Sequence, residues 1–468
     1  MTTITHSTID AAILAEESRF LSRTSRSRAL HEQAVDVMPG GVTSSWSSTR
    51  PVPVWIDRGE GAHVWDADGN RYVDYHAGYG VNVVGHANPS VVEAVQQRVT
   101  QGTHFAQPVE DAIIVASALA DRFGLPQWRF CNSGTEATMD AFHLMRAITG
   151  RDLVVKIEGS YHGHHDLVNV SIWRSLDDLG PVDDPSREPG AGVATAFAEL
   201  VRILPFNDLG AAERLFEAEG DDIAGLIIEP MMMNAGIIPP LPGYLEGLRD
   251  LTRRNGSLLV FDEVKTGLVI AWGGATELFG VTPDIVCLAK ALGGGVPCGA
   301  IGGTEEVMSA INDGRYDQVG TFNGNPLTMA AARAVLTEVL VPEAYAEAEA
   351  IGRTMLTGCE DALAEQGLAS YGTVHGFKGS VVVHDQRPTN YREFLEVDTA
   401  ICHLNYLMQH NRGVFTAPWG KSESWTLSVA HTRADGDRVV ENTAELAKVI
   451  AATDGSASEI FSVGGLTS

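Results

Sequence analysis

From residue 88 onward, the chain alternates short apolar runs with longer segments in which apolar residues recur at the helical period. The longer segments at 89–101, 110–123 and 134–148 predict helices. The apolar runs predict strands, and they lie at 128–131, 152–157, 200–204, 223–228, 258–261 and 285–288. Strands that are apolar throughout and alternate with helices are typical of a parallel sheet covered on both faces. The pattern therefore predicts an α/β fold with a large, doubly wound, mostly parallel sheet.

The flanking regions follow a different pattern. Residues 25–38 predict a short helix that ends at Pro39-Gly40-Gly41, and 52–56, 62–65 and 71–75 predict a small β meander with a tight turn at Asp68-Gly69. Residues 327–366 predict a long helix that bends at Pro342, and the chain ends in a helix at 435–452. Residues 175–192 are rich in Asp, Pro, Gly and Ser and predict a loop.

These patterns divide the chain into three parts. Residues 81–328 form the large domain, residues 329–468 form a smaller C-terminal α+β domain, and residues 1–80 form an N-terminal segment that contributes to the small domain.

Composition narrows the class of protein. The chain has 468 residues and a formal net charge of −27, so we expect neither nucleic acid nor a membrane surface as a partner. The five cysteines are widely separated and form no CxxC pair, which argues against a disulfide framework and a zinc knuckle. Acidic residues interrupt the first twenty positions, so no export signal is visible. We therefore expect a cytoplasmic protein.

A first candidate site follows the predicted strand 128–131. Ser133, Gly134 and Thr135 stand where the next helix begins, and the N-terminus of a helix directs free NH groups and a positive dipole end at an anion. The alternative is a helix cap, in which Ser133 caps the helix and Glu136 completes a capping box.

Two further candidates end strands of the same predicted sheet. Asp262 ends the run 258–261, where a carboxylate could bind a metal, a ribose or a protonated ring nitrogen, or could simply cap a helix. Lys290 follows the run 285–288 and precedes three glycines. A lysine in desolvated surroundings has a lowered pKa and can form a Schiff base with a carbonyl, whereas a solvated lysine at a strand end is the plain alternative.

An anion site, an acid and a Schiff-base lysine are the three groups that hold pyridoxal 5′-phosphate. Together with the segments 160–163, 229–230, 261–264 and 320–327, they resemble the class III, fold type I aminotransferases. The segments 39–42, 85–89 and 430–432 are similar to the glutamate-1-semialdehyde aminomutase-like branch, and the resemblance covers roughly residues 27–450.

The resemblance implies a role for each matching residue. Lys290 would carry the cofactor as a Schiff base and move a proton, and Asp262 would keep the pyridine nitrogen protonated. The remaining cofactor contacts would come from Ser133, Gly134 and Thr135 at the phosphate, Tyr161 and Val264 on the two ring faces, Asn234 near the 3′-oxygen, and Thr321 at the neighbouring subunit's phosphate. A homodimer with shared active sites follows from this last contact.

The chain also departs from the family. Ser44 and Ser47 stand near the turn where related enzymes place an arginine, and Lys265 and Val269 replace the Met and Arg that often follow Asp-Glu-Val. Both losses favour a less charged substrate. The pocket residues predicted from aromatic positions and from register are Trp46, Tyr79, Trp272, Trp419 and Glu423. The histidines near Tyr161 are interpreted as packing residues, and no metal is expected.

We therefore expect an aminotransferase that moves an amino group from a hydrophobic primary amine to a small 2-oxo acid such as pyruvate, by ping-pong half-reactions. The alternatives within the fold are a glutamate-1-semialdehyde 2,1-aminomutase and a β-amino-acid aminotransferase. A pyridoxal-phosphate-binding transcription regulator is disfavoured by the acidic charge. A nicotinamide-dependent oxidoreductase is disfavoured because no GxGxxG fingerprint follows a strand.

Overall fold

The computed structural model describes residues 4–418, 424–452 and 455–456. The strands, in chain order, are β1 (Ile4–Thr5), β2 (Ile56–Glu60), β3 (His63–Asp66), β4 (Arg71–Asp74), β5 (Gln127–Cys131), β6 (Leu153–Ile157), β7 (Val201–Leu204), β8 (Ile223–Ile228), β9 (Leu258–Asp262), β10 (Ile285–Leu288), β11 (Gly299–Gly303), β12 (Tyr371–His375), β13 (Lys378–Val382), β14 (Val414–Phe415), β15 (Trp425–Thr426) and β16 (Gly455–Ser456).

The helices, in chain order, are α1 (His6–Arg23), α2 (Ser25–Ala34), α3 (Ala77–Gly80), α4 (Pro89–Val99), α5 (Glu110–Phe123), α6 (Gly134–Thr149), α7 (Thr195–Glu199), α8 (Leu209–Glu219), α9 (Tyr244–Asn255), α10 (Gly274–Phe279), α11 (Glu305–Asn312), α12 (Pro326–Ala334), α13 (Pro342–Ala364), α14 (Tyr391–Phe394), α15 (Thr399–Asn411) and α16 (Arg433–Ala451). Short 3₁₀ turns lie at Pro39–Gly41, Ser45–Ser47, Leu176–Asp178 and Lys290–Gly293. None of the helices in the described ranges is long and apolar enough to cross a bilayer.

A seven-stranded sheet forms the centre of the molecule, in the order β5-β11-β10-β9-β8-β6-β7. β11 runs antiparallel to both of its neighbours, and the other adjacent strands are parallel. Every residue of β8 and β10 is buried, as the continuous apolar runs predicted. The prediction of a large, mostly parallel α/β sheet is confirmed.

The sequence pattern did not predict β11. Its sequence is Gly-Ala-Ile-Gly-Gly, which lacks the large β-branched residues that indicate a strand. The structure explains the glycines, because a Cβ on Gly302 would lie 2.5 Å from the ring of Trp128 on the neighbouring strand. The close approach of that ring therefore requires glycine in the strand.

β2, β3 and β4 share a sheet with β14, which follows them by more than 300 residues along the chain. The order of this four-stranded sheet is β14-β4-β3-β2, and Val414 of β14 pairs in parallel with Val73 of β4. A three-stranded sheet, β12-β13-β15, lies in the C-terminal part. β2 begins at Ile56 rather than at residue 52, since Pro51 and Pro53 have no NH group to donate to a ladder.

Three helical segments differ from their predictions. α1 was not predicted; it buries Ile9, Ile13 and Phe20 in a cluster that also contains residues of α15. α2 ends at Ala34, four residues before the predicted end. The predicted bend at Pro342 is a break, because Val341 is extended and Pro342 begins α13 as its first residue.

The predicted loop at 175–192 contains one 3₁₀ turn, Leu176–Asp178. The guanidinium of Arg392 donates to the carbonyls of Leu179, Gly180 and Pro181, and the same side chain forms an ion pair with Glu158. One arginine thus ties the loop to the end of β6.

Candidate active site

A cavity of about 440 Å³ opens at the carboxyl ends of β9 and β10. Asp262 ends β9 and Lys290 follows β10, and Cys287 of β10 lies opposite Asp262 in the parallel ladder. Ligands of open α/β sheets bind at this edge. The predicted residues that line the cavity are Trp46, Tyr79, Ser133, Gly134, Thr135, Tyr161, Asn234, Asp262, Val264 and Lys290.

The start of α6 forms one end of the cavity. The Ser133 hydroxyl accepts a hydrogen bond from the Glu136 NH at 3.2 Å, and the Glu136 carboxylate accepts one from the Asn132 NH at 2.5 Å. The first contact is the Ser133 cap that the sequence offered as an alternative, whereas the Glu136 carboxylate binds the NH before Ser133 and so does not complete the expected capping box. The NH groups of Gly134 and Thr135 have no acceptor in the described part of the chain, so the capped helix keeps two donors that face the cavity.

Glycines bring the surrounding loops close to this helix end. A Cβ on Gly163 would lie 2.6 Å from the Thr135 hydroxyl oxygen, and a Cβ on Gly134 would lie 2.9 Å from the methyl groups of Val264. Both positions therefore exclude a larger side chain. The free NH groups, the dipole and the narrow approach together form a cradle for an anion such as a phosphate.

Asp262 is buried and is held by two hydrogen-bond donors. Its Oδ2 accepts a hydrogen bond from His162 Nδ1 at 2.7 Å, and its Oδ1 accepts one from the Val264 NH at 3.0 Å. The Nε2 atom of His162 is buried without a partner in the described residues. The sequence interpreted His162 as a packing residue, and no local pattern signals its contact with an acid one hundred positions away.

The neighbouring acid points away from the cavity. Glu263 accepts hydrogen bonds from the NH groups of Ala275 and Thr276 and from the Thr266 hydroxyl. Burial raises the pKa of the Glu263 carboxyl to about 7. Of the acidic pair, Asp262 is thus the residue available to a ligand, and Glu263 stabilises the start of α10.

Lys290 has a left-handed backbone conformation, with φ of +45°. A non-glycine residue in this region is strained, and such strain is often found at functional sites. Burial lowers the pKa of the Lys290 amine, although the nearby carboxylates of Asp262 and Glu229 oppose that effect. A lysine with a lowered pKa has more of its amine in the neutral, nucleophilic form.

The loop after β8 is organised by Glu229. Its carboxylate accepts hydrogen bonds from the Tyr161 NH at 3.0 Å, from the Met233 NH at 3.1 Å, and from the Asn234 amide at 2.9 and 3.0 Å. Glu229 is buried, and these four contacts occupy both of its oxygens. They fix Asn234 and Tyr161 in the cavity wall.

Aromatic rings form the opposite wall. Trp46 packs edge-on against Tyr79 at 5.3 Å and against Tyr161 at 5.5 Å between ring centroids. The Tyr79 hydroxyl donates to the Trp46 carbonyl at 2.7 Å. Trp173, which the sequence analysis missed, stacks on Tyr161 at 5.6 Å and is half exposed. Trp173 lies next to the loop predicted at 175–192, where no periodicity marks an aromatic as part of a site.

The remaining predicted residues lie elsewhere. The pocket prediction is wrong for Trp272, which is not part of the cavity wall; its ring packs under the Arg122 guanidinium at 4.8 Å, beside the core. Thr321 is exposed, and its carbonyl accepts a hydrogen bond from His104 at 2.8 Å. Trp419 and Glu423 lie outside the described residues.

The sequence matches the family described as "Aminotransferase class-III" over residues 45–430, which is most of the chain. The chain is a class III aminotransferase. The cavity described above thus belongs to a member of a known enzyme family.

Three proteins that are similar to this class III aminotransferase have different names and activities. A glutamate-1-semialdehyde 2,1-aminomutase from Aquifex aeolicus is 37% identical over 428 residues, which cover 90% of this chain and 99% of the relative. The crystal structure of an omega-transaminase from Sphaerobacter thermophilus superposes with a TM-score of 0.86 at 34% identity, covering 91% of this chain and 97% of the other. A β-phenylalanine aminotransferase from Variovorax paradoxus has a TM-score of 0.86 at 32% identity, covering 96% and 100%.

Class III aminotransferases use pyridoxal 5′-phosphate, and the residues of this aminotransferase fit that group. The free NH groups of Gly134 and Thr135 suit a phosphate, and the amine of Lys290 suits an aldehyde. The carboxylate of Asp262, held by two hydrogen-bond donors, suits a protonated ring nitrogen. The three groups face one cavity, so a single ligand can reach all of them.

Proposed function

We propose that this aminotransferase moves amino groups on small molecules at the cavity, and that Lys290 is its catalytic residue. One observation carries the proposal: the Lys290 amine, the Asp262 carboxylate and the free NH groups of α6 line the same space at the ends of neighbouring strands.

Pyridoxal phosphate, when bound, supplies an electron-withdrawing ring that stabilises negative charge on the carbon next to the amino group. Lys290 would serve as the general base and acid that moves the proton of that carbon. Asp262 would supply a negative charge to a protonated ring nitrogen, and His162 holds the orientation of that carboxylate through its 2.7 Å hydrogen bond. Ser133, through its cap, keeps the helix end in place for the phosphate.

Within this chemistry, the comparisons favour a substrate that carries a carboxylate. The Aquifex aeolicus relative matches nearly the whole chain and is an aminomutase of glutamate 1-semialdehyde, and the Variovorax paradoxus structure is an aminotransferase of β-phenylalanine. We therefore place the two alternatives of the sequence analysis, the aminomutase and the β-amino-acid aminotransferase, ahead of its main expectation.

The main expectation, a hydrophobic amine without a carboxylate, remains as the second candidate. It is supported by the aromatic wall of Trp46, Tyr79 and Tyr161 and by the resemblance to an omega-transaminase. An apolar wall binds an apolar substituent whether or not the same molecule carries a carboxylate.

A single-turnover absorbance experiment on the enzyme loaded with pyridoxal phosphate tests the proposal. Amino donors are added without any 2-oxo acid, and the absorbance of the lysine-bound cofactor is followed; we expect donors to remove it and pyruvate to restore it. An aminomutase would instead convert glutamate 1-semialdehyde without an added 2-oxo acid. If no amine of either class changes the absorbance, the proposed function is wrong.

We further propose that the enzyme is a homodimer with shared active sites. The loops that carry His104 and Thr321 surround a surface cavity of about 410 Å³ and expose the apolar side chains of Phe105, Val319 and Phe322. Exposed apolar patches of this kind mark protein interfaces. Asn323 in the same loop hydrogen-bonds Asn132 at the base of the anion cradle, so the surface is linked to the cavity.

A cytoplasmic location is part of the same proposal. All five cysteines are free thiols, and four of them are buried, which is usual for a protein that folds in a reducing compartment.

A further inference from the structure

The cavity contains a second amine besides Lys290. Lys265 lies three residues after Asp262, and its side chain lines the same cavity. It has no hydrogen-bond acceptor and no ion-pair partner among the residues that the structure describes. Burying a charged amine without a counterion costs free energy. An anion that binds in the cavity would therefore stabilise the charged form of Lys265.

The carboxylates near Lys265 are already occupied. Asp262 accepts from His162 and from the Val264 NH, and Glu229 accepts from Asn234 and from two backbone NH groups. Neither acid lies within ion-pair distance of Lys265 in the described residues. No carboxylate of the described residues therefore forms an ion pair with this amine, and Glu229 acts on it only at longer range, so a ligand can supply a direct counterion.

The surroundings of Lys265 strengthen the attraction for an anion. Lys378 is buried nearby, and its amine donates to the Ser424 hydroxyl at 3.2 Å rather than to a charged group. Burial, together with Lys265 and Lys290, lowers the pKa of Lys378, and burial together with Lys290 lowers the pKa of Lys265 to about 8. The protonated amines of these three lysines repel one another. A ligand that places one negative charge among them would stabilise the protonated form of each.

The position of Lys378 shows on which side of the cavity this positive region lies. A Cβ on Gly80 would lie 3.6 Å from the Cε atom of Lys378, and Gly80 directly follows Tyr79. Tyr79 and Trp46 form the aromatic wall. The phosphate cradle, by contrast, is formed by Gly134 and Thr135 of α6. Lys378, whose amine interacts electrostatically with that of Lys265, therefore lies beside the backbone that carries the aromatic wall.

We propose that Lys265 binds the carboxylate of the amino donor, so that the enzyme selects amines that carry a carboxylate and an apolar substituent. This inference rests on the proposed function, since it assigns the substrate of that same cavity. It also differs from the sequence argument that the loss of arginines favours a less charged substrate. A lysine is a single point charge rather than a bidentate fork, so the geometry of the carboxylate is less restricted than an arginine would make it.

The test compares two donors that differ only in the carboxylate. The donors are 3-amino-3-phenylpropanoate and 1-phenylpropan-1-amine, each given to the loaded enzyme in single turnover. We expect Lys265→Met to lower kcat/KM for the acid by about 10- to 100-fold and to leave the value for the amine nearly unchanged. We expect Lys265→Arg to restore most of the loss, because it restores the charge.

A binding measurement gives a readout that does not depend on turnover. 3-Phenylpropanoate, which has the carboxylate and no amino group, is titrated into the loaded enzyme by calorimetry. Lys265→Met should weaken its binding by about 10-fold or more. Lys448→Met serves as the matched control, because Lys448 is exposed in the last turn of α16.

The outcomes separate the two proposals. Equal losses for both donors in Lys265→Met would show that Lys265 acts on the cofactor or on folding, and the inference would be wrong. Absence of any donor reaction in the unmutated enzyme would instead overturn the proposed function. Should Lys265→Met not take up the cofactor, the same comparison is made with Lys265→Gln, which keeps a polar side chain of similar length.

Discussion

Two hydrogen-bond donors hold Asp262 in place. His162 Nδ1 and the Val264 NH each donate to one oxygen, and no lysine or arginine of the described chain forms an ion pair with the carboxylate. A carboxylate that is held in place by hydrogen bonds stabilises positive charge placed beside it. We therefore expect Asp262 to act through its charge and not only through its shape.

Asp262→Asn keeps the shape and removes the charge. We expect the single-turnover rate with an amino donor to fall about 10²- to 10³-fold, because a neutral amide does not hold a proton on a ring nitrogen. Glu263→Gln is the matched control: Glu263 faces away from the cavity, so its rate should stay within about 2-fold. Comparable losses in the two variants would contradict the role given to Asp262.

The selectivity for carboxylate donors should depend on pH. Burial and the Lys290 amine lower the pKa of Lys265 to about 8, while Glu229 opposes them, and the neighbouring Lys378 and His76 also face this region. Lys265 is charged below that pKa and neutral above it. The ratio of kcat/KM for the acid to that for the matched amine should therefore fall as the pH rises through about 8.

The arginine variant controls this pH profile. A guanidinium stays charged throughout the accessible range, so Lys265→Arg should keep its selectivity above pH 8. The interpretation would be contradicted if wild type and Lys265→Arg lost selectivity in parallel.

Residue types next to apolar strands could be predicted from sequence, whereas pairings across the chain could not. Lys290 and Asp262 each follow an apolar run, and the carboxyl ends of parallel strands meet at one edge, so a shared site was predictable. The partnership of His162 with Asp262 joins residues on different loops. From the sequence, Lys265 is notable only because it replaces a methionine of the family. The structure adds that the neighbouring carboxylates of Asp262 and Glu229 have other hydrogen-bond partners, which leaves the Lys265 amine unpaired among the described residues.

At the scale of elements, α6 combines a cap with an anion cradle. The Ser133 hydroxyl accepts the Glu136 NH, and the two preceding NH groups remain free. Both readings of this motif from sequence therefore hold at once, since a cap satisfies only part of the four free NH groups at a helix start.

Ser133→Ala should affect both roles. Loss of the cap should lower the free energy of unfolding of the cofactor-free protein by about 1 kcal/mol, and the cofactor should bind about 10-fold more weakly. Thr304→Ala removes the cap of α11, where the Thr304 hydroxyl accepts the Val307 NH at 3.3 Å, away from the cavity. This control should lose similar stability while keeping its cofactor affinity. The cradle would be contradicted if the two variants bound the cofactor alike.

The elements that were missed have a common cause. β11 is rich in glycine because the Trp128 ring lies against it, and α1 packs Ile9, Ile13 and Phe20 into a cluster with residues of α15. In both cases contacts with distant parts of the chain stabilise the strand or helix. The local pattern of apolar residues does not show these contacts, so it did not predict the element. The long apolar strands β8 and β10 are buried on both faces and were predicted with their observed bounds.

At the scale of the whole molecule, the surface near Thr321 is the place where a second copy is expected. Phe322 is 60% exposed and packs its ring edge-on against His104, and Val319 is 83% exposed. The contact from Asn323 to Asn132 connects this surface to the anion cradle. A partner that covers the surface would therefore complete the active site as well as bury apolar area.

Phe322→Glu should separate the subunits. Burying an unpaired carboxylate in an apolar interface costs several kcal/mol, so light scattering should show a monomer. Weaker cofactor binding should accompany the change, because the Thr321 loop would lose its partner. Leu278→Glu on α10, another exposed apolar position, is the control and should remain a dimer. A wild-type protein that is monomeric at micromolar concentration would overturn the dimer proposal.

The central claim is that Lys290, and not the second amine in the cavity, carries the cofactor. The most direct measurement is reduction of the cofactor-loaded protein with borohydride, followed by digestion and mass spectrometry of the modified peptide. The account predicts a pyridoxyl group on the peptide that contains Lys290, and its loss in Lys290→Ala. A modification on Lys265, or a loaded protein in which no lysine is modified, would contradict the account.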